Sequence, residues 1–247
     1  MTTPLRAGAA ASAPVALVTG AGRGIGRATA LRLARAGHDL ALCALEADEV
    51  DAVAAEARAL GRRVYASSFD VADADAVAGF VAEVRDALGP IAALVANAGT
   101  ILLPDDAAVA TAERWDRTMA VNARAAYLFC AAVLPDMRAA GRGRIVTVAS
   151  TAGLRGLPRR LAYVASKHAL VGMTRALAEE VDDPGVTVNA VCPGAVRTRL
   201  TEDARPDADR SGWLAPDEVA STIAWLLGPD AAHVHGAVIE MADRSGA

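Results

Sequence analysis

Seven short apolar runs, separated by turns and by stretches with apolar residues at helical spacing, set what this chain can fold into. The first run covers 15–19, and the helical pattern that follows it ends at Gly37. Further strands are predicted at 39–45, 63–69, 91–97, 143–150, 186–192 and 237–241, and helices at 26–36, 49–60, 73–88, 111–140, 163–182 and 216–227. Nearly continuous apolar strands that alternate with helices indicate a parallel sheet covered on both faces. We therefore predict an α/β fold: one doubly wound domain with a seven-stranded parallel sheet and helices on both faces.

The length and composition fit one domain. The 247 residues contain no internal linker and no repeat beyond the strand–helix cycle. Hydrophobic residues make up 53% and aromatic residues only 4%, so Ala, Val and Leu must fill the core. The first residues lack a hydrophobic segment distinct from the strand that follows them. We predict a disordered leader at 1–13 and a single domain over 14–247.

Charge and cysteine usage argue against several kinds of partner. A formal net charge of −4 provides no basic field for a nucleic-acid backbone, and no apolar stretch approaches the roughly 20 residues of a membrane span. Cys43, Cys130 and Cys192 lie in apolar surroundings without paired spacing. His233 and His235 have no third ligand near them in sequence, so we expect surface histidines and no metal site. We expect a cytoplasmic protein with buried thiols and with neither a nucleic-acid nor a membrane partner.

The turn between the first strand and the first helix reads TGAGRGIG, from Thr19 to Gly26. Glycine is needed where the backbone takes a positive φ, or lies so close to a pyrophosphate that a β-carbon would collide with it. The N-terminus of the following helix offers its N–H groups and its dipole to an anion. A glycine-rich string alone would be interpreted as a flexible turn, but the strand before it and the helix after it favour a dinucleotide site.

The segment AYVASKH places Tyr163 and Lys167 four residues apart in a predicted helix, so the two side chains lie on one face. Such a pair is either an ordinary surface pair or a device for proton transfer. A tyrosine has an ordinary pKa of about 10, so it exchanges protons poorly at neutral pH unless its anion is stabilised. A lysine ammonium one helical turn away can supply that stabilisation.

Together, the glycine turn and the Tyr-x-x-x-Lys pair resemble the short-chain dehydrogenase/reductase family, and the resemblance runs from about Val15 nearly to the C-terminus. The spacing of Gly20, Gly24 and Gly26 differs from the more familiar G-x-G-x-x-G and points to this family. The segment ANAG at 96–99 is similar to the family's Asn-Asn-Ala-Gly, with Ala96 in place of the first Asn. Within the family, the likeness is to reductases of 3-oxoacyl and related ketone substrates. The resemblance implies a Rossmann fold and assembly as a homo-tetramer or homo-dimer.

The resemblance also implies a catalytic set of Asn122, Ser150, Tyr163 and Lys167. Tyr163 would exchange a proton with the ketone or alcohol oxygen, and Ser150 would hold the same oxygen by a hydrogen bond. Lys167 would also bind the nicotinamide ribose, and Asn122 would position a water that links Lys167 to solvent. Taken singly, each has a structural alternative. Tyr163 and Lys167 could form a neighbour pair, Ser150 could cap a turn with its hydroxyl, and Asn122 could be an amide in a helix kink. Their joint occurrence favours catalysis.

By the same resemblance, coenzyme contacts are expected in the loops that follow the strands. The expected residues are Gly20, Arg23, Gly24, Ile25, Gly26, Asp70, Val71, Asn97, Ala98, Gly99, Tyr163, Lys167, Pro193, Gly194, Val196 and Thr198. Asp70 matches an acid that contacts the adenine in the family, but a role in capping a turn is nearly as well supported. Pro193 and Gly194 belong to the segment that the family uses beside the nicotinamide, and Thr198 is the candidate for binding its carboxamide.

Two features bear on the choice of coenzyme. Glu46 lies about 20 residues beyond the glycine turn, where an acid can bind the ribose 2′-hydroxyl of NAD. The family's NAD-selective position falls instead at Ala44, and Leu45 follows it where many NADP enzymes carry a basic residue. Arg23 can bind a 2′-phosphate through a charge-assisted hydrogen bond. We predict NADP (NADPH), with NAD as the alternative.

The segment at about 195–215 is the expected substrate loop. Its sequence TRLTEDARPDADRSGW is shorter and more polar than is usual in the family, which predicts an open or reduced lid. Trp213 is either a lid residue above the substrate or a loop residue that packs on its own domain.

We predict an NADP-dependent ketoreductase that transfers hydride between the nicotinamide and a small-molecule ketone or secondary alcohol. The alternatives are an NAD-dependent alcohol dehydrogenase and, in another class, a dinucleotide-binding sensor without turnover. A sensor has no need for a proton relay, so the four catalytic candidates favour the enzyme.

Overall fold

The computed structural model describes residues 13–243 and forms a parallel sheet of seven strands. The strands are β1 Val15–Thr19, β2 Asp39–Ala44, β3 Val64–Ser68, β4 Ile91–Ala96, β5 Gly143–Val148, β6 Val186–Pro193 and β7 Val238–Met241. Their order is β3-β2-β1-β4-β5-β6-β7, and each pair of neighbours is parallel. The predicted fold class is confirmed. The predicted leader lies outside the described residues except for residue 13, and so do residues 244–247 of the predicted domain.

The helices follow the predicted pattern with two exceptions. They are α1 Gly24–Arg35, α2 Ala47–Ala59, α3 Ala74–Leu88, α4 Ala112–Met119, α5 Ala125–Ala139, α6 Leu161–Glu180, α7 Arg199–Ala204 and α8 Pro216–Leu227. Most ends lie within two residues of the prediction, the usual uncertainty of helix ends. The helix predicted at 111–140 is interrupted by a π-helical turn, Ala120–Arg124, and the short α7 is not predicted at all. Six residues are too few to show a helical period.

Alternate residues of the strands face two different cores, because side chains along a strand point to opposite faces. In β1, Ala16 and Val18 face one core, whereas Val15 and Leu17 face the other, and all four are at most 2% exposed. Helices α1, α2 and α8 cover the first face, and α3, α5 and α6 cover the second. The strands are therefore buried on both sides, which explains their nearly continuous apolar sequences.

The three cysteines lie inside these layers. Cys43, Cys130 and Cys192 are free and buried, as predicted. Burial raises the pKa of Cys43 and that of Cys130 to about 12, so these two thiols stay protonated and unreactive at neutral pH.

One helical stretch has the length and composition of a membrane span. Counted through its π-helical turn, the helical stretch Ala112–Ala139 has 28 residues, and its most apolar window has a mean hydropathy of 1.2. This corrects the expectation that no stretch approaches such a length. Half of that window is buried within the described part of the chain, and Phe129 and Val133 belong to the second core. The stretch is thus weak support for a membrane span, because a buried core helix has the same properties.

The order of the strands places a crevice beside β1. The chain proceeds from β1 through β2 to β3 at one edge, and then returns to place β4 on the other side of β1. The connections after β1 and β4 therefore lead to opposite faces of the sheet and leave a crevice between them. The glycine turn follows β1 and the ANAG segment ends β4, so both border this crevice.

Candidate active site

A cleft at the carboxyl ends of the strands brings together most of the predicted site residues. Those that line it are Gly20, Arg23, Gly24, Ile25, Asp70, Val71, Asn97, Ala98, Gly99, Ser150, Tyr163, Lys167, Pro193, Gly194, Val196 and Thr198. The two remaining predicted residues, Gly26 and Asn122, lie behind this lining against Gly20 and Gly99. Residues from five separate strand ends therefore meet at one site.

The glycine turn has the geometry that a pyrophosphate requires. Gly20 and Gly24 have positive φ values of 62° and 54°. A β-carbon on Gly26 would collide with the carbonyl oxygen of Gly20. Helix α1 begins at Gly24, no side chain caps its first turn, and that turn contains no acidic residue. An uncapped helix N-terminus beside a glycine cradle fits the pyrophosphate of a nicotinamide dinucleotide.

The two walls of the crevice are joined by hydrogen bonds between β1 and the segment after β4. The Thr19 Oγ1 accepts hydrogen bonds from the N–H groups of Asn97 and Ala98, each at 2.9 Å. The Asn97 amide donates to the carbonyl oxygens of Thr19 at 2.8 Å and Gly20 at 3.1 Å. These bonds fix the glycine turn relative to the wall opposite it.

Tyr163 lies in the first turn of α6, opposite Ser150 at the end of β5. The Ser150 hydroxyl lies close enough to the phenol to lower its pKa, and it accepts a hydrogen bond from the Ala152 N–H at 3.1 Å. The capping role considered for Ser150 is therefore present, and its hydroxyl also lies near the phenol. Burial raises the pKa of Tyr163, and this outweighs the lowering by Ser150, Arg160 and Arg205. Lys167, which was expected to lower the pKa of Tyr163, is not among these influences.

Lys167 is an interior residue of α6. It is 4% exposed, and its Nζ donates to the carbonyl oxygen of Val148 at 2.9 Å. Nζ lies 5.8 Å from the centre of the Tyr163 ring. Burial lowers the pKa of Lys167 to about 8, against a smaller raising effect of Cys192. The lysine is therefore buried and the tyrosine half-buried at the cleft, so they are not the ordinary surface pair that the spacing also allowed.

Asn122 occupies the π-helical turn between α4 and α5 and is 1% exposed. Its Oδ1 accepts from the Thr100 N–H at 2.7 Å, while Nδ2 donates to the Thr100 carbonyl oxygen and to Ser166 Oγ, each at 3.0 Å. Ser166 Oγ in turn donates to the Tyr163 carbonyl oxygen at 2.8 Å. The amide thus does lie in an irregular helix, as the structural alternative held, and it also ties the loop after β4 to the helix of Tyr163. Such π turns are frequent at functional sites.

Asp70 pairs with an arginine that no motif predicts. Its Oδ2 lies 2.6 Å from Arg117 Nη1 of α4, and its Oδ1 accepts from the Ala72 N–H at 2.9 Å. Burial raises the pKa of Asp70, but the hydrogen bonds and the charge of Arg117 outweigh that effect and hold the pKa below its ordinary value. Asp70 therefore stabilises a turn and lines the cleft at the same time, so the two proposed roles are compatible.

Arg23 also has an unpredicted partner. Its Nη1 lies 3.0 Å from Glu49 Oε1 of α2. Glu49 lines the cleft together with Glu46, Ala44 and Leu45. The pair joins residues that are 26 positions apart, so no local sequence pattern could have revealed it. The far end of the cleft thus carries one cation and two nearby carboxylates.

The expected substrate loop contributes to the cleft only through its first part. The loop residues that line the cleft are Val196, Thr198, Arg199, Leu200 and Thr201. Trp213 is 4% exposed and lies outside the lining of the cleft. Of the two interpretations of Trp213, packing on its own domain is therefore correct.

Of the two histidines near β7, His235 forms hydrogen bonds with the backbone. His235 Nδ1 accepts from the Val188 N–H at 3.2 Å, and Nε2 lies 2.8 Å from the Ala178 carbonyl oxygen. His233 is exposed. Across residues 13–243, no cluster of three or more His, Cys, Asp or Glu side chains is arranged to hold a metal ion.

Known proteins are similar to this chain in sequence and in fold. The family profile described as short chain dehydrogenase matches residues 14–209. The chain belongs to the short-chain dehydrogenase family. A D-beta-hydroxybutyrate dehydrogenase of Rhizobium meliloti is 35% identical, over 92% of this chain and 96% of that protein. A 3-oxoacyl-[acyl-carrier-protein] reductase of Synechocystis is 37% identical, over 92% and 94%. A crystal structure of actinorhodin polyketide ketoreductase with NADPH superposes with a TM-score of 0.86 at 33% identity, over 93% and 95% of the two chains.

This short-chain dehydrogenase is accordingly an NAD(P)-dependent oxidoreductase that acts on CH–OH or C=O groups. The predicted family and its likeness to 3-oxoacyl reductases are confirmed. Relatives named as dehydrogenases and reductases favour the enzyme over the sensor without turnover.

Proposed function

We propose that the protein is an NADP-dependent ketoreductase that acts on a small ketone or secondary alcohol. The observation that carries this proposal is the meeting of Ser150, Tyr163 and Lys167 with the glycine cradle in one cleft. When bound, the nicotinamide coenzyme supplies or accepts the hydride. A proton donor beside the coenzyme crevice is what carbonyl reduction requires from the protein.

In the direction of reduction, Tyr163 delivers its phenolic proton to the substrate oxygen as negative charge develops there. The Ser150 hydroxyl donates a hydrogen bond to the same oxygen and is already held in place by its contact with Ala152. Because burial raises the pKa of Tyr163, the phenol keeps its proton at neutral pH until the substrate oxygen takes it. In oxidation, the phenolate accepts the proton of the alcohol.

Lys167 and Asn122 would support this proton transfer from behind the phenol. Below about pH 8 the Lys167 amine is charged, and we assign it to the nicotinamide ribose and to resupply of the proton. Lys167 Nζ and Asn122 Oδ1 would lie 3.6 and 3.5 Å from a β-carbon on Gly99. The two groups are therefore neighbours at a point where a water could join them. Asn122 would also place Tyr163 through Ser166.

The coenzyme would span the crevice between the two halves of the sheet. The uncapped start of α1 would bind its pyrophosphate, and Asp70 and Val71 would border its adenine. The remaining expected contacts would follow the dinucleotide toward the nicotinamide, namely Asn97, Ala98, Gly99, Pro193, Gly194, Val196 and Thr198.

Arg23 supports NADP because its guanidinium lines the cleft and is half exposed, so it can reach a 2′-phosphate. The NADPH-bound polyketide ketoreductase is consistent with this choice. NAD is the second candidate, because Glu49 already pairs with Arg23 and would repel a 2′-phosphate.

We expect Arg23→Ala to weaken NADPH binding by about 10-fold or more and NADH binding little. Glu49→Gln should strengthen NADPH binding. Fluorescence titration of both coenzymes measures this, and an unchanged affinity ratio in Arg23→Ala would show that NADP is the wrong choice.

The function itself is tested by nicotinamide absorbance with NADPH and NADH against small ketones, diketones, quinones and 3-oxoacyl thioesters. Loss of the phenol in Tyr163→Phe should reduce turnover by a factor of about 100 to 10,000 without loss of coenzyme binding. Tyr65→Phe is the matched control, because the Tyr65 hydroxyl bonds to the exposed Glu83 at 2.7 Å, away from the cleft. Intact turnover in Tyr163→Phe would refute the mechanism.

A further inference from the structure

We propose that the substrate carries a carboxylate close to its reacting carbonyl, and that Arg160, with Arg205 beside it, binds this carboxylate. The proposal rests on the ketoreductase function and adds a substrate class to it: short oxo acids and the corresponding hydroxy acids.

Arg160 stands between the two elements that border the cleft beyond Tyr163. It immediately precedes α6, three residues before Tyr163, and is partly buried. Its Nη2 donates to the carbonyl oxygen of Ala204 at 2.7 Å, at the last residue of α7. Its Nη1 donates to the Arg159 carbonyl oxygen at 2.9 Å. The guanidinium thus bridges the start of α6 and the end of α7, and Arg205 follows directly after α7.

The hydrogen bonds of Arg160 leave its charge and most of its donors free. A guanidinium has five N–H donors, and the two bonds above use two of them, both to neutral carbonyl groups. The remaining donors suit a carboxylate, which arginine binds in a planar, bidentate manner.

Some of the arginines around the substrate loop have a carboxylate partner and others do not. Arg155, Arg199 and Arg210 each have a carboxylate partner, at 3.7, 3.6 and 3.4 Å. Arg160 and Arg205 form no ion pair with any residue that the structure describes. Their charges also act on each other, because Arg205 lowers the pKa of Arg160 in addition to the larger effect of burial. Two cations that repel each other between the start of α6 and the end of α7 favour the binding of an anion between them.

The acid nearest to Arg160 does not remove this excess of positive charge. Asp105 attracts Arg160 and raises its pKa. However, both of its carboxylate oxygens accept hydrogen bonds from the backbone, from the Ala162 N–H at 2.9 Å and from the Tyr163 N–H at 3.0 Å.

The distance to Tyr163 restricts the substrate to a short acid. Arg160 and Arg205 both lower the pKa of Tyr163, although burial keeps that pKa above its ordinary value. Arg160 also precedes Tyr163 by only three residues at the start of α6, and residues three apart along a helix have β-carbons about 5–6 Å from each other. A carboxylate held by Arg160 would therefore lie only a few bonds from a carbonyl carbon whose oxygen contacts the phenol.

The first test measures binding without turnover, on the coenzyme-loaded enzyme. Malonate, which cannot be reduced here, should bind to the wild type, whereas neutral dimethyl malonate should not. Arg160→Gln should weaken malonate binding about 10- to 100-fold. Arg155→Gln removes the same charge from the same loop and should change it little. The proposal is overturned if malonate does not bind to the wild type. It is also overturned if Arg160→Gln and Arg155→Gln weaken malonate binding equally, because the effect is then one of general surface charge.

The second test compares acetoacetate with methyl acetoacetate as substrates of the same enzyme. The wild type should prefer the acid, and Arg160→Gln should lower the acid-to-ester ratio of kcat/KM at least about 10-fold, with partial rescue by Arg160→Lys. An unchanged ratio, with both substrates impaired alike, would assign Arg160 a merely structural role and overturn the proposal. A third outcome separates the two proposals. If malonate binds as expected but the enzyme reduces neither acetoacetate, methyl acetoacetate nor any compound of the wider panel, the result supports the carboxylate site and contradicts the ketoreductase function.

Discussion

Burial controls the protonation of the two residues at the centre of the proposed chemistry. A buried phenol resists losing its proton and a buried ammonium gives one up more easily, because both charged forms lose hydration. Accordingly, the pKa of Tyr163 is raised and that of Lys167 is lowered. The enzyme thereby holds a protonated acid next to an amine that titrates close to physiological pH.

This burial predicts a pH-dependent stability. The pKa of Lys167 is about 8 in the folded protein and 10.5 ordinarily, so between these values the unfolded chain binds more protons. The burial of Lys167 therefore destabilises the folded protein most below pH 8. Above pH 8, the contribution of Lys167 to the free energy of unfolding rises by up to about 1.4 kcal/mol per pH unit. Denaturant unfolding from pH 7.5 to 10 should show this rise as a difference between wild type and Lys167→Met. Parallel pH profiles for the two proteins would contradict it.

At the scale of elements, the start of α6 is held by a residue outside any recognised motif. Asp105 is 4% exposed and accepts hydrogen bonds from the N–H groups of Ala162 and Tyr163. Its own carbonyl oxygen accepts from the Leu161 N–H at 3.2 Å. These bonds satisfy N–H groups that have no partner within the helix. The position of the catalytic phenol thus depends on a loop 58 residues earlier.

We expect Asp105→Ala to lower the free energy of unfolding by about 1 to 2 kcal/mol, the usual cost of losing a helix cap. Turnover should fall as well, because Tyr163 loses a hydrogen bond on its own N–H. The control is Asp106→Ala, since the Asp106 carboxylate accepts from the Ala108 N–H in an exposed turn. Urea unfolding and kcat at saturating substrate measure both effects. Similar values for the two variants would refute the anchoring role.

At the scale of the whole molecule, large rings remain exposed on separate helices. Tyr127 of α5 is 57% exposed and Trp225 of α8 is 44% exposed. Exposed aromatic side chains on two helices are consistent with the homo-tetramer or homo-dimer that the family resemblance suggests.

Light scattering should therefore give a mass of two or four chains. Tyr127→Lys or Trp225→Lys should shift that mass downward, because a charge in an apolar interface is costly to bury. Arg155→Gln, a substitution in the connection between β5 and α6, should leave the mass unchanged. A single-chain mass for the wild type would refute the assembly.

Local pattern was enough to predict most of the fold and much of the site. The periods of strands and helices are properties of neighbouring residues, so the seven strands and the main helices were predicted nearly to their ends. Tyr163 and Lys167 could be placed on one face because helix geometry alone determines their relation. The glycine turn was recognisable because its conformation depends on residues within the turn itself.

The partners of these residues were decided by the tertiary structure. Glu49 meets Arg23, Arg117 meets Asp70, and Thr100 meets Asn122 only because the order of the strands brings distant segments to one edge of the sheet.

The sequence by itself thus determined the class of fold, the family and the chemical groups available for catalysis. Only the tertiary structure decided which charges are neutralised, which pKa values are shifted and where positive charge is left for a substrate. The reason is physical: conformational preference acts over a few residues along the chain, whereas burial and Coulomb interactions depend on distances in space.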